Sequence, residues 1–482
     1  MCWSCVSRLW ITAVMLDSLL CQTDALERRG AMSLQVQGGR EGWWPACLAI
    51  GKAPFYAHGA FRDPEFEASY PLSARDFAKI PLEGNYAGIV RVLQKLAAGG
   101  TVNIVVLGGS ETGGACCLQK MKGSKPVLWK SCAWSARLTH WLQATFPQGT
   151  VVLRNLAIGG YTTGVIHSAV GAMFSAEGMD QTDLVILDTL PNDAYPMGGL
   201  AGLGTKYDRH QTVSITYEAL VRTIHAISPD IAVFSIVAGC YKCIETKHSQ
   251  LDVIQYYNLP HLDFAKLVST SPAERSQLLW DNRTDCGAAI NDCHPHWHTH
   301  QLIADVIENT WGRALAHSCL MLPAALPSFP KRSFWQKSAL ESFPTCIKPT
   351  TYFSALRASE PGAPQPLEQR GFRLYEDRPG KPGWIATEAG ASISFLVRLG
   401  ASATPQVSVT YLRSYEGMAS AELTMGDKME GLDATDTWQR VSQSVSAWFW
   451  YHDKEFLPFS EWTLSIKTVS PGKFKISEII AC

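Results

Sequence analysis

The sequence predicts an α/β domain with a doubly wound parallel sheet, followed by a smaller antiparallel β-sandwich domain. Between about residues 85 and 315, short apolar runs alternate with stretches of helical period, as strands alternate with helices in such domains. From about residue 371 the apolar period changes to two, which is typical of antiparallel strands. At 482 residues the chain is also too long for one hydrophobic core.

Composition places the chain among globular proteins. Hydrophobic residues make up 46% and charged residues 18% of it, which is typical of a well-packed fold. The formal net charge is −1 and no local basic excess stands out, so we expect no nucleic-acid partner. The 16 Trp and 38 Gly residues favour an aromatic-rich, turn-rich surface of the kind common in carbohydrate-handling proteins.

Residues 1–25 are predicted to be a secretory signal peptide. Arg8 supplies a positive charge, residues 9–20 are mostly apolar, and a small-residue site follows at 23–25. This apolar stretch is too short to span about 30 Å of hydrocarbon as a helix, and no later segment is long and apolar enough to do so. We therefore expect a protein of the secretory lumen or the exterior. A short signal anchor is the alternative, because Asp17 interrupts the apolar stretch.

Cysteine usage fits secretion. Removing the three cysteines of the signal segment from the 14 leaves an odd number, so at least one is free or pairs between chains. Three local pairs are candidates for disulfides: Cys117 with Cys132, Cys240 with Cys243, and Cys286 with Cys293. The Cys240–Cys243 pair alternatively fits half of a redox or zinc site. One glycosylation sequon occurs, at Asn282.

Four regions follow the signal segment. Residues 26–70 form an irregular lead-in, 71–317 the α/β domain, 318–370 a proline-rich linker, and 371–482 the β-sandwich module. The predicted strands of the α/β domain are residues 102–107, 151–156, 184–187 and 231–237. Its predicted helices include residues 89–96, 134–142, 164–175, 217–224 and 302–307. In the module, apolar residues alternate at 393–399, 407–411, 462–466 and 474–476.

The first predicted strand ends at Gly108-Gly109, and Ser110 follows directly. Two glycines let the backbone turn sharply, so Ser110 is expected at the carboxyl edge of the sheet, where open α/β folds bind ligands. Ser110 is therefore the candidate nucleophile. The alternative is that its hydroxyl merely caps a following helix.

Further polar groups follow other strand ends. Acyl transfer through a serine needs a base, for which His has the suitable pKa, and His294 precedes the last predicted helix. It also needs donors for the developing oxyanion, such as the Gly160 N–H and the Asn192 amide. Each such donor contributes about 3 kcal/mol in the transition state.

Four blocks in this order resemble the SGNH/GDSL hydrolase superfamily over about residues 85 to 315. The blocks are Gly108-Gly109-Ser110, then Asn155 with Gly160 and Thr162-Thr163, then Leu190-Pro191-Asn192-Asp193, and last His294-Pro295 with His300-Gln301. The resemblance implies a flavodoxin-like three-layer sandwich and a serine esterase that needs no cofactor. It also implies Ser110 as nucleophile, His294 as base, and an oxyanion hole made by the Ser110 N–H, the Gly160 N–H and the Asn192 side chain.

The sequence departs from the family at the position of the acidic residue that orients the catalytic His. The family places an Asp three residues before the His, where this chain has Asn291, and Asp292 lies only two residues before it. We expect Asp292 to orient His294; Asp285 or a backbone carbonyl are the alternatives. The third block also has Leu190 in place of the family's Gly.

A metal site is the competing hypothesis for the histidine-rich segment. His294, His296, His298 and His300 alternate, which on an extended strand would place several imidazoles on one face. Because Pro295 and a helix beginning near His300 interrupt such a strand, we expect no metal.

The C-terminal region resembles a β-rich module attached to some SGNH-like proteins of algae and plants, chiefly at residues 381–385 and 411–417. Trp384, Tyr415 and the aromatic run 448–451 are candidate sugar-binding residues, with core packing or a structural lid as the alternative. Two functions therefore compete. One is a secreted carboxylic-ester hydrolase acting on an acylated polysaccharide, with acyl transfer as a variant; the other is a catalytically weak or inactive glycan-binding or cell-surface protein.

Overall fold

A computed structural model of the chain describes residues 61, 63–120, 125–176, 178, 181–194, 208–281, 294–320, 329–341, 346–378, 380–401, 405–435, 442–450 and 456–482. Several predictions fall outside these ranges. They are the signal segment 1–25, the sequon at Asn282, the pair Cys286–Cys293, and the residues Asp285, Asn291 and Asp292.

The first domain is built on a five-stranded parallel sheet. Its strands are β1 (Thr101–Gly108), β4 (Thr150–Asn155), β5 (Leu184–Asp188), β6 (Ala232–Val237) and β7 (His261–Asp263). Their spatial order is β4-β1-β5-β6-β7. The winding direction thus reverses between β1 and β5, and ligands of such sheets bind at the carboxyl ends of strands beside that reversal. The predicted parallel sheet is confirmed.

Helices cover both faces of this sheet. One layer contains α3 (Ala87–Ala97), α4 (Trp134–Thr145) and α12 (Trp297–Leu320). The other contains α5 (Thr163–Ala176), α7 (Arg209–Ile227) and α9 (His248–Tyr256). Shorter helices lie between or beside them: α1 (Pro64–Ala68), α2 (Ala74–Lys79), α6 (Leu190–Asp193), α8 (Tyr241–Thr246), α10 (Phe264–Ser269), α11 (Ala273–Leu279) and α13 (Lys337–Leu340).

Apolar patterning explains the longer elements. Ile89, Val92, Leu93 and Leu96 form one buried stripe along α3, and the interior positions of β1 are almost all buried. The structure differs from prediction at the last helix, which begins at Trp297 rather than near His300. The sequence pattern also did not predict β7 or the short helices α8, α10 and α11, because these are too short to display a period.

The C-terminal module is a sandwich of two antiparallel sheets, as predicted. One sheet joins β8 (Thr351–Ser354), β10 (Arg373–Glu376), β11 (Pro382–Ala386), β13 (Gln406–Arg413), β16 (Gln443–Trp450) and β18 (Phe474–Ala481). The other joins β9 (Glu368–Arg370), β12 (Ser392–Arg398), β14 (Ser420–Met425), β15 (Lys428–Asp433) and β17 (Glu461–Thr468). Strands β8 and β9 lie within the segment predicted as a linker. A separate small hairpin, β2 (Leu118–Gln119) and β3 (Val127–Leu128), belongs to the first domain.

The module packs directly on the α/β domain. Strands β16 and β18 contact α5, and the Ser168 and Ser446 hydroxyls lie 3.0 Å apart across this contact. Ile480 and Cys482 join the core of the α/β domain. The Cys346–Cys482 disulfide, which the sequence did not predict, fixes the end of the chain beside this contact.

Two of the three predicted disulfides are confirmed, Cys117–Cys132 and Cys240–Cys243. The second is therefore not a zinc half-site here, since both thiols are consumed in the bond. No helix within the described ranges combines the length and apolar character needed to cross a membrane.

Of the two explanations for Trp384, sugar binding is excluded and a structural role remains. The Trp384 ring is 1% exposed and packs edge-on against Phe395, 5.3 Å between centroids, in the module's core. Phe449 of the aromatic run is likewise buried, because alternate residues of β16 face inward. Tyr415 is 40% exposed, so its candidacy for sugar binding stays a prediction.

Candidate active site

Ser110 lies in a tight turn at the end of β1. The turn is closed by hydrogen bonds from the Gly113 N–H to the Gly109 carbonyl, 2.9 Å, and from the Ala115 N–H to the Ser110 carbonyl, 2.8 Å. Thr112 anchors it to the neighbouring strand by donating to the Asp188 backbone carbonyl at 2.9 Å. Residues 110–116 form turns, so Ser110 is not the N-cap of a helix. That alternative for Ser110 is excluded.

His294 lies within hydrogen-bonding distance of Ser110. Its Nε2 atom lies 2.7 Å from the Ser110 Oγ atom, although the two residues are 184 positions apart. Burial, and secondarily the charge of Lys381, lower the pKa of His294 to about 4. The imidazole is therefore neutral at neutral pH and can accept the hydroxyl proton.

Gly160 follows β4 and turns its backbone beside Ser110. Its φ of +92° lies in the left-handed region that favours glycine. A Cβ placed on the preceding Gly159 would come within 3.3 Å of the Ser110 Cβ, so this loop directly adjoins the serine. Within the described part of the chain, neither the Gly160 N–H nor the Ser110 N–H donates to another group. Both donors are thus available to a ligand.

Asn192 lies in α6, just past the end of β5. Its amide rests on Gly109, where an added Cβ would lie only 1.8 Å from the Asn192 Nδ2 atom. That nitrogen donates to the Tyr161 carbonyl at 2.7 Å, which leaves its second N–H for a ligand. Leu190, which stands in place of the family's Gly, is fully buried and does not prevent this placement.

Other residues of the blocks support these loops. The Asn155 side chain donates to the Thr112 carbonyl at 2.7 Å and thereby joins the end of β4 to the Ser110 turn. Asp193 accepts from the Thr163 N–H at 2.8 Å and from Gln250 at 2.8 Å, which fixes the start of α5 relative to α6. Burial raises the pKa of Asp193 to about 6.

Two acidic side chains are buried behind Ser110. Burial raises the pKa of Asp188 to about 6, although hydrogen bonds from Thr112 and Trp134 oppose this shift. The pKa of Glu111 is raised well above its usual range, first by burial and then by proximity to Asp188. Burial thus favours the protonated, uncharged form of Glu111.

The module contributes residues to the same place. Gln443 donates to the Asn192 backbone carbonyl at 2.9 Å, and the Ser444 N–H donates to the Gly160 carbonyl at 3.1 Å. A Cβ on Gly159 would lie 2.7 Å from the Lys381 Nζ atom, so this ammonium group borders the site as well. Sequence reasoning missed all three roles. The chain shows no local signal for them, because they depend on how the two domains pack.

The alternating histidines do not share one face. His294 contacts Ser110, whereas the buried His300 Nδ1 atom accepts from the Trp134 N–H at 3.4 Å. His296 and His298 approach Asp281, with Nδ1–Oδ2 distances of 3.8 and 3.5 Å. Because a helix begins at Trp297, the four histidines do not follow one extended strand, and their side chains point in different directions. One ligand atom each of Asp281, His296 and His298 lies within 4.8 Å of the other two, so these three side chains could hold a metal.

No protein-family model matches the chain, and no curated protein matches it in sequence. Two similar solved structures are crystal structures of a two-domain esterase active on acetylated mannans, one of them co-crystallised with mannopentaose. Their TM-scores are 0.52 and 0.53 at 20% and 19% sequence identity. In both comparisons 83% of this chain and 96% of the other chain are covered. A lipase/acylhydrolase from Enterococcus faecalis, with 18% identity and a TM-score of 0.31, covers 43% of this chain and is itself 93% covered.

The chain has the two-domain fold of these esterases. The predicted resemblance, an SGNH hydrolase domain followed by a β-rich module, is thus confirmed at the level of the fold. Of the five predicted site residues, Ser110, Gly160, Asn192 and His294 converge at the carboxyl edge of the parallel sheet. The fifth, Asp292, lies outside the described residues.

Proposed function

We propose that the chain is a serine esterase of the SGNH type that removes an acyl group from a glycan. The observation that carries the proposal is the 2.7 Å contact between His294 Nε2 and Ser110 Oγ at the carboxyl ends of the strands. The available Gly160 N–H and Asn192 amide beside it supply what an oxyanion needs.

In the acylation step, the Ser110 Oγ atom attacks the ester carbonyl carbon while His294 takes the hydroxyl proton. The carbonyl oxygen becomes an oxyanion that accepts from the N–H groups of Ser110 and Gly160 and from the Asn192 amide. Collapse breaks the bond to the leaving alcohol, which receives the proton from His294, and leaves an acyl ester on Ser110. We assign Asp292 the task of orienting His294, with Asp285 or a backbone carbonyl as alternatives.

In the deacylation step, His294 takes a proton from water, and the resulting hydroxide attacks the acyl carbon. The bond to Ser110 breaks, and its Oγ atom recovers the proton as the acid leaves. A sugar hydroxyl in place of water would give acyl transfer by the same steps.

Two observations support a glycan as the substrate. The similar two-domain esterase acts on acetylated mannans, and this chain shares both of its domains. The predicted signal segment and the disulfides are also compatible with a secreted protein that meets polysaccharide outside the cell.

The test compares the wild type with Ser110→Ala on p-nitrophenyl acetate and on an acetylated oligosaccharide. We expect the substitution to lower kcat/KM by about 10⁴-fold or more. A fluorophosphonate probe should label Ser110, as read by peptide mass spectrometry, and the exposed Ser175→Ala variant should keep wild-type rates. The ratio of free acetate to transferred ester separates hydrolysis from transfer.

Equal rates for the wild type and Ser110→Ala, with no labelling of Ser110, would contradict the esterase proposal. That result would favour the alternative function, an inactive SGNH-like protein that binds glycan. The altered acid block, with Asn291 in the family's Asp position, is the observation behind that alternative.

A further inference from the structure

The module carries a cluster of four cationic side chains beside the active site. Lys473 and Lys475 each contact one oxygen of Asp377, at 2.9 and 2.5 Å. One carboxylate thus serves two ammonium groups, while Arg378 and Lys381 form no ion pair with any carboxylate in the described ranges. The Glu376 carboxylate also lies here and accepts from the Gly380 N–H at 3.3 Å. Four cationic side chains thus face two carboxylates, which leaves an excess of positive charge.

The backbone around Lys381 is held in place. The Lys475 ammonium donates to the Lys381 carbonyl at 2.5 Å, and the Lys381 N–H donates to the Arg378 carbonyl at 3.0 Å. Lys381 begins the approach to β11, whose residues are mostly buried. Its side chain accordingly projects from a rigid part of the module.

The Lys381 ammonium points at the loop next to the nucleophile. The position that a Cβ on Gly159 would occupy lies 2.7 Å from Lys381 Nζ and 3.3 Å from the Ser110 Cβ. Ser110 and Lys381 thus flank one small space. Any substrate whose ester carbon reaches Ser110 brings its neighbouring groups within range of this cation.

The surroundings of Lys381 disfavour its charge. Burial, followed by the charges of Arg378 and Lys475, lowers the pKa of the Lys381 ammonium group, and Asp377 and Glu111 only partly oppose this shift. The charge of Lys381 also lowers the pKa of His294 and opposes the imidazolium that forms during acyl transfer. A negative charge on the bound substrate would offset both unfavourable effects.

We propose that the substrate is an ester of an anionic glycan, and that Lys381 binds a carboxylate or sulfate on the sugar that carries the acyl group. The inference rests on the proposed function and adds the substrate's charge to it. Arg378 and Lys473 extend the positive surface outward and attract the rest of an anionic chain. Three donors already serve the oxyanion, so Lys381 is assigned to the sugar and not to the reacting carbonyl.

The experiment compares three substrates of similar size: an acetylated oligogalacturonide, an acetylated sulfated oligogalactan and an acetylated oligomannoside. At low ionic strength we expect the wild type to show kcat/KM at least about tenfold higher on one of the anionic esters, with the difference falling as salt is added. The better of the two anionic substrates identifies the carboxylate or the sulfate as the group bound.

The matched variants are Lys381→Met, Lys381→Arg and the control Lys467→Gln, which alters an exposed lysine of the same module. Lys381→Met should lower the ratio of kcat/KM on the anionic over the neutral ester by about 10- to 100-fold, mainly through KM. Lys381→Arg should restore much of that ratio, and Lys467→Gln should keep it. An unchanged ratio in Lys381→Met, or a wild-type preference for the neutral ester, would overturn the inference.

A binding measurement separates this inference from the esterase proposal. Calorimetric titration of Ser110→Ala with unacetylated oligogalacturonide and sulfated oligogalactan needs no turnover. Binding of either oligosaccharide that is lost in the Ser110→Ala, Lys381→Met double variant supports the anion site even if the wild type hydrolyses nothing. Absence of binding by Ser110→Ala, or equal binding by both variants, counts against it.

Discussion

The α/β domain and the β module build one site by different means. In the α/β domain, each reacting or donating group follows a sheet strand or precedes a helix, and local sequence positions it. Gly109 beside Ser110 and the left-handed turn at Gly160 are examples. In the module, Gln443 of β16 and Lys381, which directly precedes β11, reach the site only because the module packs against the loops around Asn192 and Ser110.

In the proposed mechanism, the first domain contains the reacting groups and the second adjusts their surroundings. Gln443 and Ser444 of the module donate hydrogen bonds to backbone carbonyls of the loops around the site. The Ser110–His294 contact, in contrast, lies entirely within the α/β domain. Substitutions in the α/β domain should therefore cause large losses of rate. Substitutions in the module should cause smaller losses or changes in specificity and pH dependence.

After Ser110→Ala, the largest effect is expected from His294→Ala. Without the imidazole 2.7 Å from the Ser110 Oγ atom, the hydroxyl keeps its proton and is a poor nucleophile. We expect kcat/KM on p-nitrophenyl acetate to fall by about 10⁴-fold. The control is His317→Ala, at an exposed position of α12. A loss of less than tenfold in His294→Ala would show that another group activates the serine.

Gly109→Ala tests the oxyanion side of the same domain. The added methyl would lie 1.8 Å from the Asn192 Nδ2 atom and must displace this buried amide. Losing one oxyanion donor lowers kcat by about 10²- to 10³-fold. Gly113→Ala is the matched control from the same turn, because its Cβ would have no neighbour closer than 3.4 Å. If both variants keep wild-type kcat, the Asn192 amide is not a donor in the transition state.

The same contrast explains what the sequence could predict. Ser110, Gly160 and Asn192 each follow a strand whose apolar run is visible in the chain, and the fold brings such strand ends to one edge. Gln443 is 251 residues from the Asn192 carbonyl that it contacts, and no local pattern encodes that pairing. For Trp384 the sequence leaves sugar binding and a structural role open, because an aromatic side chain near a turn has the same sequence signature whether exposed or buried.

Short elements limited the prediction of the fold. Strand β7 has three residues, and α8 and α10 have six each, fewer than a period needs to be recognised. Asp292, the residue predicted to orient His294, lies outside the described residues and stays a prediction.

Gln443→Ala measures the support that the module gives to Asn192. The substitution removes a buried hydrogen bond of 2.9 Å to the Asn192 carbonyl, worth about 1 kcal/mol, so we expect kcat to fall by roughly fivefold. Ser446→Ala is the control, since it loses a 3.0 Å contact with Ser168 in the same interface but away from the site. Comparable melting temperatures with a lower kcat only in Gln443→Ala would support a specific action of Gln443 on the site. Equal kcat values in the two variants would refute a specific role for Gln443.

The smallest expected effect is a shift in pH dependence caused by Lys381→Met. The base works only when neutral, so kcat/KM on p-nitrophenyl acetate should hold at neutral pH and fall as the pH drops through the His294 pKa of about 4. The Lys381 charge helps to depress that pKa, and its removal should move the acid limb to higher pH. Because burial lowers this pKa more than Lys381 does, the midpoint of the acid limb should remain below the usual pKa of histidine. The Lys467→Gln variant should keep the wild-type profile. An acid limb that stays in place in Lys381→Met would mean that the module does not act electrostatically on the base, and that the α/β domain alone sets its pKa.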